Sequence, residues 1–235
     1  MRTLISFSIF IGIKIFIKLF YKVEVSWLGE SRTWKKIRYI VFLNHTSLYE
    51  PLYIGILPLP FIWRISRKLV APGADKTLDR PLVGIFWKLM GPGIISITRK
   101  RDKSWTKFME AIHNRAVIVM AAEGRMKRRN GLDLDGKPMT IRSGVADVLE
   151  QINEGNMLIA YSGGLHHVQV PGQKLPRIFK TLKLNLEVID IPKYKSKFNT
   201  EGIQWKRDVV EDFQNRLESN CPQADSTPQI KTSKA

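Results

Sequence analysis

Cysteine is almost absent from this chain: Cys221 is the single one among 235 residues. No intrachain disulfide and no thiolate metal cluster can form, and a lone thiol fits a reducing compartment. Acidic residues are also scarce, with 21 Asp and Glu against 38 Lys and Arg and a formal net charge of +17. That surplus calls for a polyanionic partner: nucleic acid, an anionic membrane surface or a phosphorylated substrate. The four histidines show no metal-ligand spacing, and no metal is expected. The Gly-x-Ser-x-Gly elbow of serine hydrolases is missing. No internal repeat is present, and only one long hydrophobic run occurs.

That run, Leu4 to Phe20, is nearly all Ile, Phe and Leu, with Lys14 and Lys18 inside it. A secretory signal would keep its charges ahead of the apolar stretch and end at small residues, so cleavage is not expected. On a helix the two lysines share one face, while apolar side chains cover the rest. The run is at the lower limit for crossing a hydrocarbon core, and two charges raise the cost of crossing. The pattern predicts a helix over 1–22 embedded in one leaflet with its lysines at the headgroups, a short spanning anchor being the alternative. A polar, aperiodic segment over 219–235 predicts a disordered tail.

Between them, 23–218 reads as one α/β domain in which short apolar runs alternate with helical patterns around a mostly parallel central sheet. Candidate strands are Tyr39–Leu43, Ile94–Thr98, Val117–Met120, Met157–Tyr161 and Leu184–Ile189. Candidate helices are Ser47–Ile56, Leu78–Met90, Lys103–Asn114, Gly144–Asn153 and Trp205–Leu217. Four polar or glycine-bearing stretches begin where a strand stops: Asn44-His45, Arg99, Glu123-Gly124-Arg125 and Ser162-Gly163-Gly164. Ligands of open parallel sheets bind beyond the carboxyl ends of the strands. If these strands are neighbours, a histidine, two arginines, a glutamate and a glycine loop converge.

Each stretch has a chemical and a plain reading. His45 titrates near neutrality and can take a proton from a hydroxyl, with Glu50 fixing its tautomer. Ser47-x-x-Glu50 also fits a capping box, in which Glu50 only satisfies a backbone N–H. Arg99 and Arg125 suit a phosphate, or form part of a solvated basic face. Lys127, Arg128 and Arg129 suit anionic lipid or solvent. Ser162, Gly163 and Gly164 can cradle an anion through backbone N–H groups or simply turn the chain. His166 and His167 face opposite ways if extended, so at most one reaches a common site.

Asn44-His45-x-Ser47-x-x-Glu50-Pro51 resembles the first signature block of the glycerolipid acyltransferases, typically Asn-His-x-Ser-x-x-Asp-Pro. Gly93-Ile94-Ile95-Ser96-Ile97-Thr98-Arg99 is similar to their second block, and Glu123-Gly124-Arg125 to their third, usually Pro-Glu-Gly-Thr-Arg. The similarity spans roughly Asn44 to Ile191. Glu50 stands where the family has aspartate, Ala122 where it has proline, and Met126 in the slot of the family arginine, so that role passes to Arg125 by a shift of one. The resemblance implies transfer of a fatty acyl group from acyl-CoA or acyl-carrier protein to a hydroxyl of a lysophospholipid such as 1-acylglycerol-3-phosphate. His45 and Glu50 would be catalytic, and Arg99, Glu123, Gly124 and Arg125 would bind substrate, with Ser162, Gly163 and Gly164 as further binding residues. The thioester is a co-substrate and no bound cofactor is required. The expected setting is the cytoplasmic face of the inner (plasma) membrane, with an anionic lipid surface as partner. An inactive lipid-binding member of the family is one alternative. A basic nucleic-acid binder using Trp34, Trp63 and Trp105 is another, but it leaves the N-terminal run and the strand-end convergence without a purpose.

Overall fold

A computed structural model describes residues 1–91, 93–98, 100–113, 115–170, 173 and 175–223. Its short apolar runs form one sheet of seven strands: β1 (Tyr21–Leu28), β2 (Ile37–Leu43), β3 (Leu69–Ala74), β4 (Gly93–Ile97), β5 (Val117–Ala121), β6 (Asn156–Ser162) and β7 (Lys180–Asp190). Their spatial order is β1-β7-β6-β2-β5-β3-β4. Strands β2 to β6 run parallel, β7 pairs antiparallel with β6, and β1 pairs parallel with β7. The helices are α1 (Arg2–Phe20), α2 (Leu59–Lys68), α3 (Asp75–Leu78), α4 (Pro81–Met90), α5 (Lys103–Glu110), α6 (Gly144–Gln151), α7 (Ile191–Lys195) and α8 (Gly202–Asn220), with a 3-10 helix over Glu50–Ile56.

Strand β2 shows why the sheet is the middle layer of three. Tyr39, Val41 and Leu43 point into a core completed by Phe108 of α5, Val145 and Leu149 of α6, and Val209 and Phe213 of α8. Ile40 and Phe42 point the other way, into a core with Phe10 and Ile17 of α1, Ile62 of α2 and Met90 of α4. A strand covered on both faces reads as a continuous apolar run, which is how β2 reads.

The five strands anticipated from the sequence are present within a few residues of their expected ends; β1 and β3 were not anticipated. Strand β1 is an edge strand alternating Lys22, Glu24 and Ser26 with apolar residues. Strand β3 contains Pro72, and its pairing with β5 stops at Val70, before the residue that has no N–H to give. Pro58 and Pro60 separate the 3-10 helix, which ends at Ile56, from α2, and they open α2, where the first turn requires no N–H from Pro60. The expected Leu78–Met90 helix is instead split into α3 and α4, with Pro81 starting the second. The first expected helix begins at Glu50 rather than Ser47 and is 3-10.

Helix α1 lies along the domain, packed on the 3-10 helix, α2 and α4. Ser6 Oγ donates to the Met90 carbonyl at 2.5 Å, and Lys14 Nζ to the carbonyls of Gly55 and Leu57 at 2.5 and 2.9 Å. Lys14 therefore turns into the protein, where it satisfies carbonyls left over at the end of the 3-10 helix, and only Lys18 faces outward. At the other end, α8 runs to Asn220, whose carbonyl accepts from Asn185 Nδ2 at 2.8 Å. The expected tail thus starts as ordered structure; residues 224–235 lie outside the described residues.

Candidate active site

The parallel order β6-β2-β5 brings three of the four strand-end stretches side by side. Asn44 leaves β2 with φ of 66°, a left-handed turn that asparagine tolerates better than most residues. Glu123, just beyond β5, holds that turn: its Oε1 accepts the backbone N–H of Asn44 at 2.6 Å and that of His45 at 3.3 Å. The His45 carbonyl accepts the Lys127 N–H at 2.8 Å. Asn44 Nδ2 donates to the Ser162 carbonyl beyond β6 at 2.8 Å, and Thr46 Oγ1 accepts the Leu165 N–H at 2.7 Å. Ser47 Oγ reaches Gln169 Oε1 at 2.8 Å. The histidine loop is thereby tied to both neighbouring strand ends.

His45 Nδ1 hydrogen-bonds Glu50 Oε2, and Glu50 Oε1 accepts the Thr46 N–H at 3.0 Å. The carboxylate thus does both of its expected jobs, although the backbone group it satisfies belongs to Thr46 and not to Ser47. With Nδ1–H donated to Glu50, the neutral ring carries its lone pair on Nε2. Burial pulls the His45 pKa down, but the Glu50 charge and hydrogen bond, helped by Glu123, outweigh it and hold the pKa above 6.5. Burial raises the Glu123 pKa, against the pull of His45 and the backbone N–H groups. Glu123 Oε2 is buried without a partner among the described residues.

Two clefts meet at Asn44, Lys127 and Gly131. The larger, about 460 Å³, is walled by Glu123, Leu132, Met139, Leu217 and Cys221. The smaller, about 160 Å³, is walled by Lys127, Arg128, Arg129, Gly163, Gly164 and His166. His45 lines neither; its side chain is partly exposed beside them.

Other predicted residues take different places. Arg125 is ion-paired with Asp133, both side chains mostly buried. Asp133 also accepts the N–H groups of Asp135 and Lys137, so Arg125 braces the turn after β5. Gly124, at φ of 60°, provides the sharp exit from that strand. Arg99 lies outside the described residues; β4, which precedes it, is separated from β5 by β3. Gly163 and Gly164 line the basic cleft while Ser162 is buried behind it, and the two glycine N–H groups are not free for an anion. Gly163 N–H goes to the Lys183 carbonyl and Gly164 N–H to Ser162 Oγ, both at 3.0 Å. His166 Nε2 donates to the Lys127 carbonyl at 2.8 Å, and burial, with Arg129 and Lys127 nearby, lowers its pKa.

Sequence reasoning missed three members of this neighbourhood. Asp133 was legible only as part of an Asp-x-Asp-Gly turn. Tyr53, whose hydroxyl meets Ser162 Oγ at 2.8 Å, carried no signal beyond its apolar surroundings. Cys221 was assigned to a loose tail, but it is half-buried in the larger cleft, and burial pushes its thiol up to about 12.

A scan against protein-family models and a comparison with curated protein sequences both find no match. Solved structures do match. One is the 1-acyl-sn-glycerophosphate acyltransferase PlsC from Thermotoga maritima, 17% identical, with a TM-score of 0.53 over 91% of this chain and 81% of that one. At that identity the likeness is one of fold, and it is the fold that the signature blocks led one to expect.

Proposed function

We propose that this chain is a membrane-associated acyltransferase that moves a fatty acyl group from a thioester, acyl-CoA or acyl-carrier protein, to the free hydroxyl of a lysophospholipid such as 1-acylglycerol-3-phosphate. The observation that carries this reading is the His45–Glu50 pair, held at the ends of β2 and β5 by Glu123. His45 Nε2 takes the proton of the acceptor hydroxyl as its oxygen attacks the thioester carbon. The carbon–sulfur bond then breaks, and the imidazolium returns that proton to the leaving thiolate. Glu50 steadies the imidazolium. Transfer is direct: burial keeps the Cys221 thiol protonated at neutral pH, so no acyl-cysteine is invoked.

The basic cleft beside Asn44 supports a phosphorylated acceptor. Lys127, Arg128 and Arg129 can hold a phosphate there by charge-assisted hydrogen bonds. In this reading Arg125 contributes by keeping the turn that presents them, and Arg99 remains a candidate second contact. The likeness in fold to a lysophosphatidate acyltransferase supports the same substrate class. Helix α1 favours one-leaflet association: its outer stripe of Leu4, Ile5, Ile15, Phe16 and Leu19 is exposed while its inner face is bonded to the domain. A spanning passage would have to strip those bonds away.

The test is to incubate purified protein with labelled acyl-CoA and a panel of lyso-lipids, and to identify the acylated product. Wild type should acylate a phosphorylated lyso-lipid, and His45→Ala, a change in a strand-end loop, should abolish the product while keeping the melting temperature. Normal turnover by His45→Ala would remove the base from this scheme.

A further inference from the structure

We infer that α4 is a second membrane-inserting element, entering the same leaflet as α1 and wetted by lipid, not covered by protein. The helix reads Pro-Leu-Val-Gly-Ile-Phe-Trp-Lys-Leu-Met, and a soluble domain would bury its apolar stripe. Instead Leu82, Ile85, Phe86 and Leu89 are 83, 57, 40 and 43% exposed. Their spacing puts all four on one outward face. The inner face is already committed. Gly84 lies so close to the Leu78 carbonyl that no Cβ would fit, and Met90 is buried with its carbonyl bonded to Ser6 of α1. The helix therefore cannot roll to hide its apolar face.

Two further observations decide what covers that face. The helix packs against α1, which has an exposed apolar stripe of its own, α1 also packs on α2, and Phe7 of α1 meets Trp63 of α2 edge-on. The three helices also contain no acidic residue. Apart from Lys14, which turns inward, their charges are Arg2, Lys18, Arg64, Arg67, Lys68 and Lys88, with Arg67 over the Trp63 ring. A second copy docked here would set like charges against one another with no carboxylate to answer them. A layer of anionic headgroups answers them, with the aromatic and aliphatic side chains below it in the acyl region.

The test uses the full chain and vesicles of phosphatidylcholine with and without phosphatidylglycerol. Leu82→Glu/Phe86→Glu should raise the lipid concentration for half-maximal sedimentation by about tenfold or more, each added charge opposing insertion. The control Ile203→Glu, at an exposed apolar position on α8, should bind as wild type. Should the double variant fold poorly, a nitroxide on Leu82→Cys in a Cys221→Ser background reads the same point. Vesicles should shield that label from an aqueous relaxing agent and leave a label at Ile203→Cys open to it. A label at position 82 that stays accessible, or a double variant that binds like wild type, overturns the inference. So does a lipid-free dimer that the double variant dissociates. None of these readouts depends on acyl transfer.

Discussion

His45 sets the pH response at the scale of single residues. A base must be neutral to accept a proton, and Glu50 and Glu123 hold this imidazole above its ordinary 6.5. The acid limb of kcat/KM should therefore have its midpoint above 6.5, and Glu50→Gln, which removes the charge but keeps the shape, should move it to lower pH and lower kcat. Stability follows the same proton. A raised folded pKa contributes most below the unfolded value and fades as pH climbs through the folded one. Urea melts of wild type and Glu50→Gln on both sides of that range should differ more on the acid side. An unchanged rate profile in the variant would leave Glu50 as a backbone cap only.

Arg125 and the basic strip after it can be separated by where their substitutions register. Asp133→Asn should lower the melting temperature, because Arg125 loses its partner in a mostly buried setting. Arg128→Ala and Lys127→Ala should leave melting nearly unchanged and raise KM for a phosphorylated acceptor by about tenfold each, the worth of one charge-assisted contact. Glu123→Ala should cost about 1–3 kcal/mol in urea unfolding and slow turnover, since the N–H groups of Asn44 and His45 lose their acceptor. Glu123→Gln, which keeps an oxygen for them, should recover most of that stability.

The element with the most unusual duty is α1. It is apolar enough to be a membrane segment, with mean hydropathy of 2.0, yet it also supplies Phe10 and Ile17 to a core and a cation to the 3-10 helix. Lys14→Met, similar in length, should destabilise the fold by about 1–3 kcal/mol by leaving the Gly55 and Leu57 carbonyls without a donor. Lys18→Met should leave stability unchanged and weaken vesicle binding. Equal thermal stability of wild type and Lys14→Met would show that the lysine belongs to the headgroups after all. This division between two lysines four residues apart was invisible in the sequence, because both lie on the same helical face and only the docked partner tells them apart.

Charge acts at the scale of the whole molecule. With a net +17, vesicle binding should have a long-range component, so raising salt should weaken it on anionic vesicles and change it little on neutral ones. Binding insensitive to both salt and lipid charge would point to insertion driven by apolar area alone. The sheet supplies the other global fact. Because β2 lies between β5 and β6, groups from three distant stretches meet at one rim, whereas the end of β4 is kept apart by β3.

Local physics made part of this legible from residues alone. His45 and Glu50 are five apart, so a turn suffices to pair them, and apolar runs bounded by turn residues marked five strands of the sheet. The helical period marked α4 to α6 and α8, and the unbroken apolar run marked α1. What the chain could not announce was whatever depends on which strand lies beside which. Glu123 holds the Asn44 and His45 N–H groups across about 80 residues of sequence, Arg125 pairs with Asp133, and Cys221 returns to the larger cleft. Each is a contact between groups with no sequence period to reveal them. Only the packed sheet, by choosing neighbours for every strand end, decides which charges stay free for a substrate and which are spent on holding the fold.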